Sequence, residues 1–135
     1  MKNLNLDKIV LMAILFVLNG KSVLAQTIPV VSCANRVSPY ASSACAGVKT
    51  QAQADAVVAC VDRVSPYASR KVCRGVKSMT EVDAVVFCIN HVSVYTLPTC
   101  AGVKNQSEAE AVISCLNSLS PYSGRRLCGT LRSDE

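Results

Sequence analysis

The chain has no tryptophan, two phenylalanines and four tyrosines in 135 residues. That leaves too little aromatic mass for a core built on large rings. It has one histidine, His91, and no Cys-x-x-Cys pair. At the positions that correspond to His91 in the repeats described below stand Arg36, Arg63 and Ser118. No Ser-His-Asp or Cys-His pattern accompanies it, so nucleophilic catalysis has no visible machinery. Thiol redox chemistry lacks its motif, and zinc sites of the Cys-x2-4-Cys kind lack their ligand spacing. The residues therefore point away from an enzyme and imply neither a resident cofactor nor a metal site. The one long apolar run, residues 9–18, has half of the ~20 residues that a spanning helix needs. No membrane span is expected.

That apolar run belongs to a targeting segment. Lys2 and Lys8 give it a positive start, Asn19-Gly20 ends it, and Val23-Leu24-Ala25 offers small or apolar residues before Gln26. This is the layout of a cleaved secretory signal over residues 1–25. The remaining residues, 26–135, suit one domain. Removing the segment takes away three lysines and one aspartate, so the formal charge falls from +5 to +3. A balance that mild is no signature of a nucleic-acid binder.

Eight cysteines carry most of the information. Cys33, Cys60, Cys88 and Cys115 recur every 27 or 28 residues, and each has a partner 12 or 13 residues on: Cys45, Cys73, Cys100 and Cys128. A 55-residue step maps Cys33 on Cys88, Cys45 on Cys100, Cys60 on Cys115 and Cys73 on Cys128. Behind a secretory signal, an even cysteine count reads as disulfides in an oxidising compartment. The pattern predicts an all-α fold of four tandem helical-hairpin repeats, arranged as two 55-residue halves and stapled by disulfides.

Each unit holds two helical signals. Val57, Cys60, Val61 and Val64 stand at i, i+3, i+4 and i+7, as do Val85, Cys88, Ile89, Val92 and Val112, Cys115, Leu116, Leu119. That spacing is one apolar stripe of a helix, with the cysteine facing the core. Thr80 with Asp83, and Ser107 with Glu110, suggest capping boxes. The first long helix has only residues 29–37 available. Ser38-Pro39-Tyr40, Ser65-Pro66-Tyr67 and Ser120-Pro121-Tyr122 start a second, shorter helix, with proline at its first position. Gly47, Gly75 and Gly102 follow as terminators. In the third unit Ser93-Val94-Tyr95 lacks that proline and Pro98 falls inside the second helix, which should be short or irregular. Eight short helices are expected in all.

Of the 105 pairings open to eight cysteines, the one that respects both periods joins the two cysteines of each unit. Cys60 lies five residues before Ser65 and Cys73 eight after it. The axial mismatch is then about 4–5 Å, within reach of a disulfide across a tilted pair. The competing scheme, Cys45–Cys60, Cys73–Cys88, Cys100–Cys115 and Cys33–Cys128, crosses the glycine loops with a larger mismatch. The rival chemistry for these sulfurs is a thiolate cluster sequestering Cu(I) or Zn(II).

Candidate contact residues are basic. Arg70, Lys71, Arg74 and Lys77 follow the second Ser-Pro-Tyr, and Arg125 and Arg126 follow the fourth. The first and third units carry Ser42-Ser43-Ala44 and Leu97-Pro98-Thr99 there. Two basic clusters half a domain apart suit an anionic surface or protein as partner. Tyr40, Tyr67, Tyr95 and Tyr122, one per unit, are expected to pack between units, with a ligand-stacking row as the alternative. Asp55, Asp83, Glu108 and Glu110 sit in first turns of helices, where the macrodipole accounts for them. The chain thus reads as an exported (periplasmic or extracellular) repeat protein with a binding or structural role. A metal-sequestering thiol protein and a small secreted toxin or inhibitor are the alternatives.

Overall fold

A computed structural model describes residues 23–131. Most of the signal segment lies outside them. Among the described residues there are six α-helices and no strand: α1 (Val23–Arg36), α2 (Gln51–Arg63), α3 (Pro66–Val72), α4 (Met79–Asn90), α5 (Gln106–Asn117) and α6 (Pro121–Leu127). Three 3₁₀ turns, Ser42–Cys45, Leu97–Cys100 and Cys128–Thr130, complete the order. No described helix is long and apolar enough to cross a membrane. The first long helix is fuller than expected, running for 14 residues with Pro29 inside it.

The three long helices after α1 each start on a reciprocal cap. The Thr50 hydroxyl accepts from the Gln53 N–H, and Gln53 Oε1 accepts from the Lys49 N–H at 2.8 Å. Ser78 and Glu81 do the same for α4, Asn105 and Glu108 for α5. These boxes lie two residues before the expected Thr80/Asp83 and Ser107/Glu110. The difference comes from the loop. Gly75 turns at φ +82°, which buries Val76, so Ser78 is the position from which helix can begin.

The long helices pack side by side in chain order: α1 on α2, α2 on α4, α4 on α5. Gln51 bonds Ser32 while Asp55 bonds Arg36, so α1 and α2 run in the same sense. The short segments form a second row: the Ser42–Cys45 turn touches α3, α3 touches Leu97–Cys100, and that turn touches Cys128–Thr130. Between the rows lies the core. Its largest fully buried side chains are Val57, Val72, Val82, Val85, Val103 and Val112, together with cysteines. The expected stripes face this core, with Val61, Ile89, Val92 and Cys115 half-buried at their margins, and the buried set is wider than the stripes. The inner helices α2 and α4, flanked on both sides, also bury Ala54, Ala56, Val58, Val82, Ala84 and Val86. At the end of the row α5 buries only Ala109, Val112 and Leu116, and Leu119 stays exposed.

Four disulfides span the rows: Cys33–Cys45, Cys60–Cys73, Cys88–Cys100 and Cys115–Cys128, with Cα–Cα distances of 5.6–5.8 Å. This is the within-unit pairing. No described cysteine is free.

The second helices depart from expectation, and the cysteine spacing explains why. The pairs 13 residues apart bracket true α-helices, α3 and α6, whereas the pairs 12 apart enclose 3₁₀ turns. A segment one residue shorter must cover the same span with the larger rise of 3₁₀ geometry, about 2.0 Å per residue against 1.5. The bonds follow: Ser42 N–H reaches Pro39 O and Ala44 N–H reaches Ala41 O, three residues back, while Ser69 N–H reaches Ser65 O and Cys73 N–H reaches Ser69 O, four back. Pro98 is not the common cause, since the first unit has no proline at that place and winds the same way. Ser65 and Ser120 occupy N-cap positions ahead of Pro66 and Pro121, but their hydroxyls do not cap.

Candidate binding face

Charge is sorted between the two rows. All six carboxylates among the described residues are on long helices: Asp55 and Asp62 on α2, Glu81 and Asp83 on α4, Glu108 and Glu110 on α5. Two of them bridge neighbouring helices. Arg36 holds Asp55 at 2.5 Å and Arg63 holds Asp83 at 2.6 Å, each from the last residue of one long helix to the fifth of the next. The Arg36 guanidinium, helped by the Gln51 amide, holds the Asp55 carboxyl below its ordinary value. These aspartates thus do more than complement the macrodipole. At the corresponding third place, His91 Nδ1 lies 2.7 Å from Phe87 O and Glu110 accepts from Gln106. His91 rests on the Phe87 ring at 4.2 Å.

The short row carries the opposite charge. Residues 38–48, 65–76, 93–103 and 120–131 contain Arg70, Lys71, Arg74, Arg125 and Arg126 and no acidic residue. None of these five cations is ion-paired among the described residues. Helical geometry explains the clustering. Arg70, Lys71 and Arg74 stand three, four and seven residues after Tyr67, and Arg125 and Arg126 stand three and four after Tyr122. Tyr67 therefore shares a face of α3 with Arg70 and Lys71, and Tyr122 a face of α6 with Arg125 and Arg126, while Arg74 lies in the turn just beyond α3. The buried face of α3 is the other one, with Ala68, Ser69 and Val72.

The tyrosines do not pack between units. Tyr40, Tyr67, Tyr95 and Tyr122 are 83, 98, 76 and 94% exposed. Four large rings left in solvent along one row are an uncommon surface for so small a protein.

Three hollows follow one another along this row. Ser43, Arg70, Lys71 and Arg74 line one of about 490 Å³. Tyr67, Lys71, Val94, Leu97 and Pro98 are among the walls of a second, about 290 Å³. Tyr95, Pro121, Tyr122 and Arg125 line a third, about 440 Å³. Of the basic residues singled out in the sequence, Arg70, Lys71 and Arg74 come together and Arg125 joins two tyrosines. Arg126 is exposed on the same helix, α6. Lys77 does not join them. It sits in the glycine loop beside Gly47, Gln53 and Val76, and its N–H serves the α4 cap. The apolar walls Val94, Leu97 and Pro98 were not singled out by sequence. Their only signal is Leu97 and Pro98 where the second and fourth units carry bases, and Val94 where those units carry proline.

As disulfides, the eight sulfurs offer no thiolate to Cu(I) or Zn(II). No cluster of three or more His, Cys, Asp or Glu suited to a metal occurs among the described residues. No protein-family model, no curated protein and no solved structure matches the chain.

Proposed function

We propose that the chain is an exported binding module: four disulfide-stapled helical hairpins stacked in a row, whose short segments form one face that contacts an anionic partner. The observation that carries this reading is the sorted charge: four exposed tyrosines stand among five cations that have no ion pair among the described residues, in segments without a carboxylate. Tyrosine and arginine are the residues on which protein interfaces concentrate their binding energy. The repeat reading draws support from the 55-residue step, which relates the two 3₁₀ turns Ser42–Cys45 and Leu97–Cys100 as it relates α3 and α6. Export is supported by four disulfides. Pro29 adds to it. Cleavage after Ala25 would leave Pro29 in the first turn of α1, where a missing N–H costs nothing.

The test is charge reversal at Arg70, Arg74, Arg125 and Arg126 against reversal at the loop lysines Lys49, Lys77 and Lys104. The first variant should lose the binder that the wild-type protein captures from the culture's envelope and secreted fractions, with melting unchanged. The loop variant should keep it. The opposite result would move the contact to the glycine loops and remove the reading.

A further inference from the structure

The ligand class can be narrowed from what the short row contains and what it lacks. We propose that this face takes an extended acidic peptide segment with apolar side chains; this rests on the binding face described above. The three hollows lie in line between successive short segments, and Lys71 belongs to two of them. Packed helices sit about 8–10 Å apart, so three intervals span about 24–30 Å. An extended peptide covers that with roughly seven to nine residues.

The chemistry of the walls separates the possible polymers. Residues 38–48, 65–76, 93–103 and 120–131 hold no Asn, Asp, Gln, Glu or His. A polysaccharide presents a dense set of hydroxyl donors, and the side-chain amides and carboxylates that would accept from them are missing here. Val94, 72% exposed, with Leu97, Pro98 and Pro121, offers methyl and ring edges suited to apolar side chains. A single-stranded nucleic acid carries charge at every nucleotide and needs a continuous basic track. Here the cations stand in two groups, with the neutral segment 93–103 between them. An acidic peptide fits the remaining description. Its carboxylates meet Arg70, Arg74 and Arg125 as charge-assisted, fork-shaped pairs, and its apolar or proline residues lie against the tyrosines. Proline-rich segments use aromatic-lined grooves in the same way.

The experiment is fluorescence anisotropy on the oxidised protein with labelled probes that each carry about four negative charges. Two are end-capped peptides of about twelve residues, one repeating Glu-Leu-Pro and one repeating Glu-Ser-Gly; the others are a tetragalacturonate and a pentathymidylate with free hydroxyl ends. The Glu-Leu-Pro peptide should bind at least tenfold tighter than every other probe. Tyr95→Ser with Tyr122→Ser should erase its advantage over Glu-Ser-Gly, and Arg70→Glu with Arg125→Glu should weaken both peptides. All four side chains are exposed, so the melting temperature of each variant should match wild type. Equal binding of the two peptides would overturn the apolar part of the proposal and leave the basic face standing. Tighter binding of the sugar or the nucleic acid would replace the ligand class. Binding of no probe, or binding indifferent to charge reversal, would overturn this proposal and the binding-face reading together.

Discussion

Removing one staple from the middle of the row and one from its end separates two contributions to stability. Cys60→Ala with Cys73→Ala and Cys115→Ala with Cys128→Ala open loops of the same length, since both pairs are 13 residues apart. The chain-entropy cost is therefore equal, about 3 kcal/mol at 25 °C. Packing differs. Cys60, Cys73 and Cys128 are fully buried, whereas Cys115 is only half-buried at the end of the helix row. Two buried sulfurs lost from a core of valines and alanines leave voids worth about 1–2 kcal/mol more, and the single fully buried sulfur of the terminal pair about half of that. The central variant should thus lose about 4–5 kcal/mol and the terminal one about 3.5–4 kcal/mol. At about 4 °C per kcal/mol, melting should fall by about 16–20 °C and 14–16 °C respectively. Against a net stability of about 5–15 kcal/mol, the central variant approaches the edge of folding. Far-UV circular dichroism with urea and with heat would measure both. Losses below about 1 kcal/mol for each, or a terminal pair that costs more than the central one, would refute the reasoning.

Three smaller perturbations follow from single positions. Gly75→Ala should cost about 1–2 kcal/mol in urea unfolding, because φ is +82° and no neighbour lies near enough for a new methyl to clash. Thr99→Val should raise stability by about 1 kcal/mol in the same assay: the Thr99 hydroxyl is buried without a partner, and the corresponding residue one half-domain earlier is Ala44. Asp55 has its native pKa held below the unfolded value, so its contribution is present above about pH 4 and lost as pH falls through the native value. Asp55→Asn should therefore flatten that part of the acid unfolding curve and leave the curve at neutral pH with the same shape.

The disulfide pairing was legible because it alone respects both repeat lengths, and the core was legible because Cys60, Cys88 and Cys115 each lie in a helical stripe. The number of α-helices was not. Ser38-Pro39-Tyr40 is identical in its first three residues to Ser65-Pro66-Tyr67, yet only the latter opens an α-helix. What decides is the single residue missing before Cys45, a constraint imposed by the disulfide rather than by local propensity. The caps lie two residues ahead of Thr80 and Ser107 because each follows a Gly-Val-Lys turn, and Glu81 and Glu108 complete the box from there. The basic clusters are visible in the sequence, whereas one tyrosine per unit is a pattern that packing between units would also give. The place of Tyr67 and Tyr122 on a helix face with Arg70, Lys71 and Arg125 puts them in solvent beside charge, while alanine and valine fill the interface behind them.

The stapled fold underlies every later step, and the intact mass of the exported protein tests it most directly. Alkylation under denaturing, non-reducing conditions with chelator, followed by peptide mapping, should give a mass short by eight hydrogens, no alkyl groups, and the links Cys33–Cys45, Cys60–Cys73, Cys88–Cys100 and Cys115–Cys128. Alkyl groups on cysteines of an otherwise folded protein, or links between successive hairpins, would contradict it.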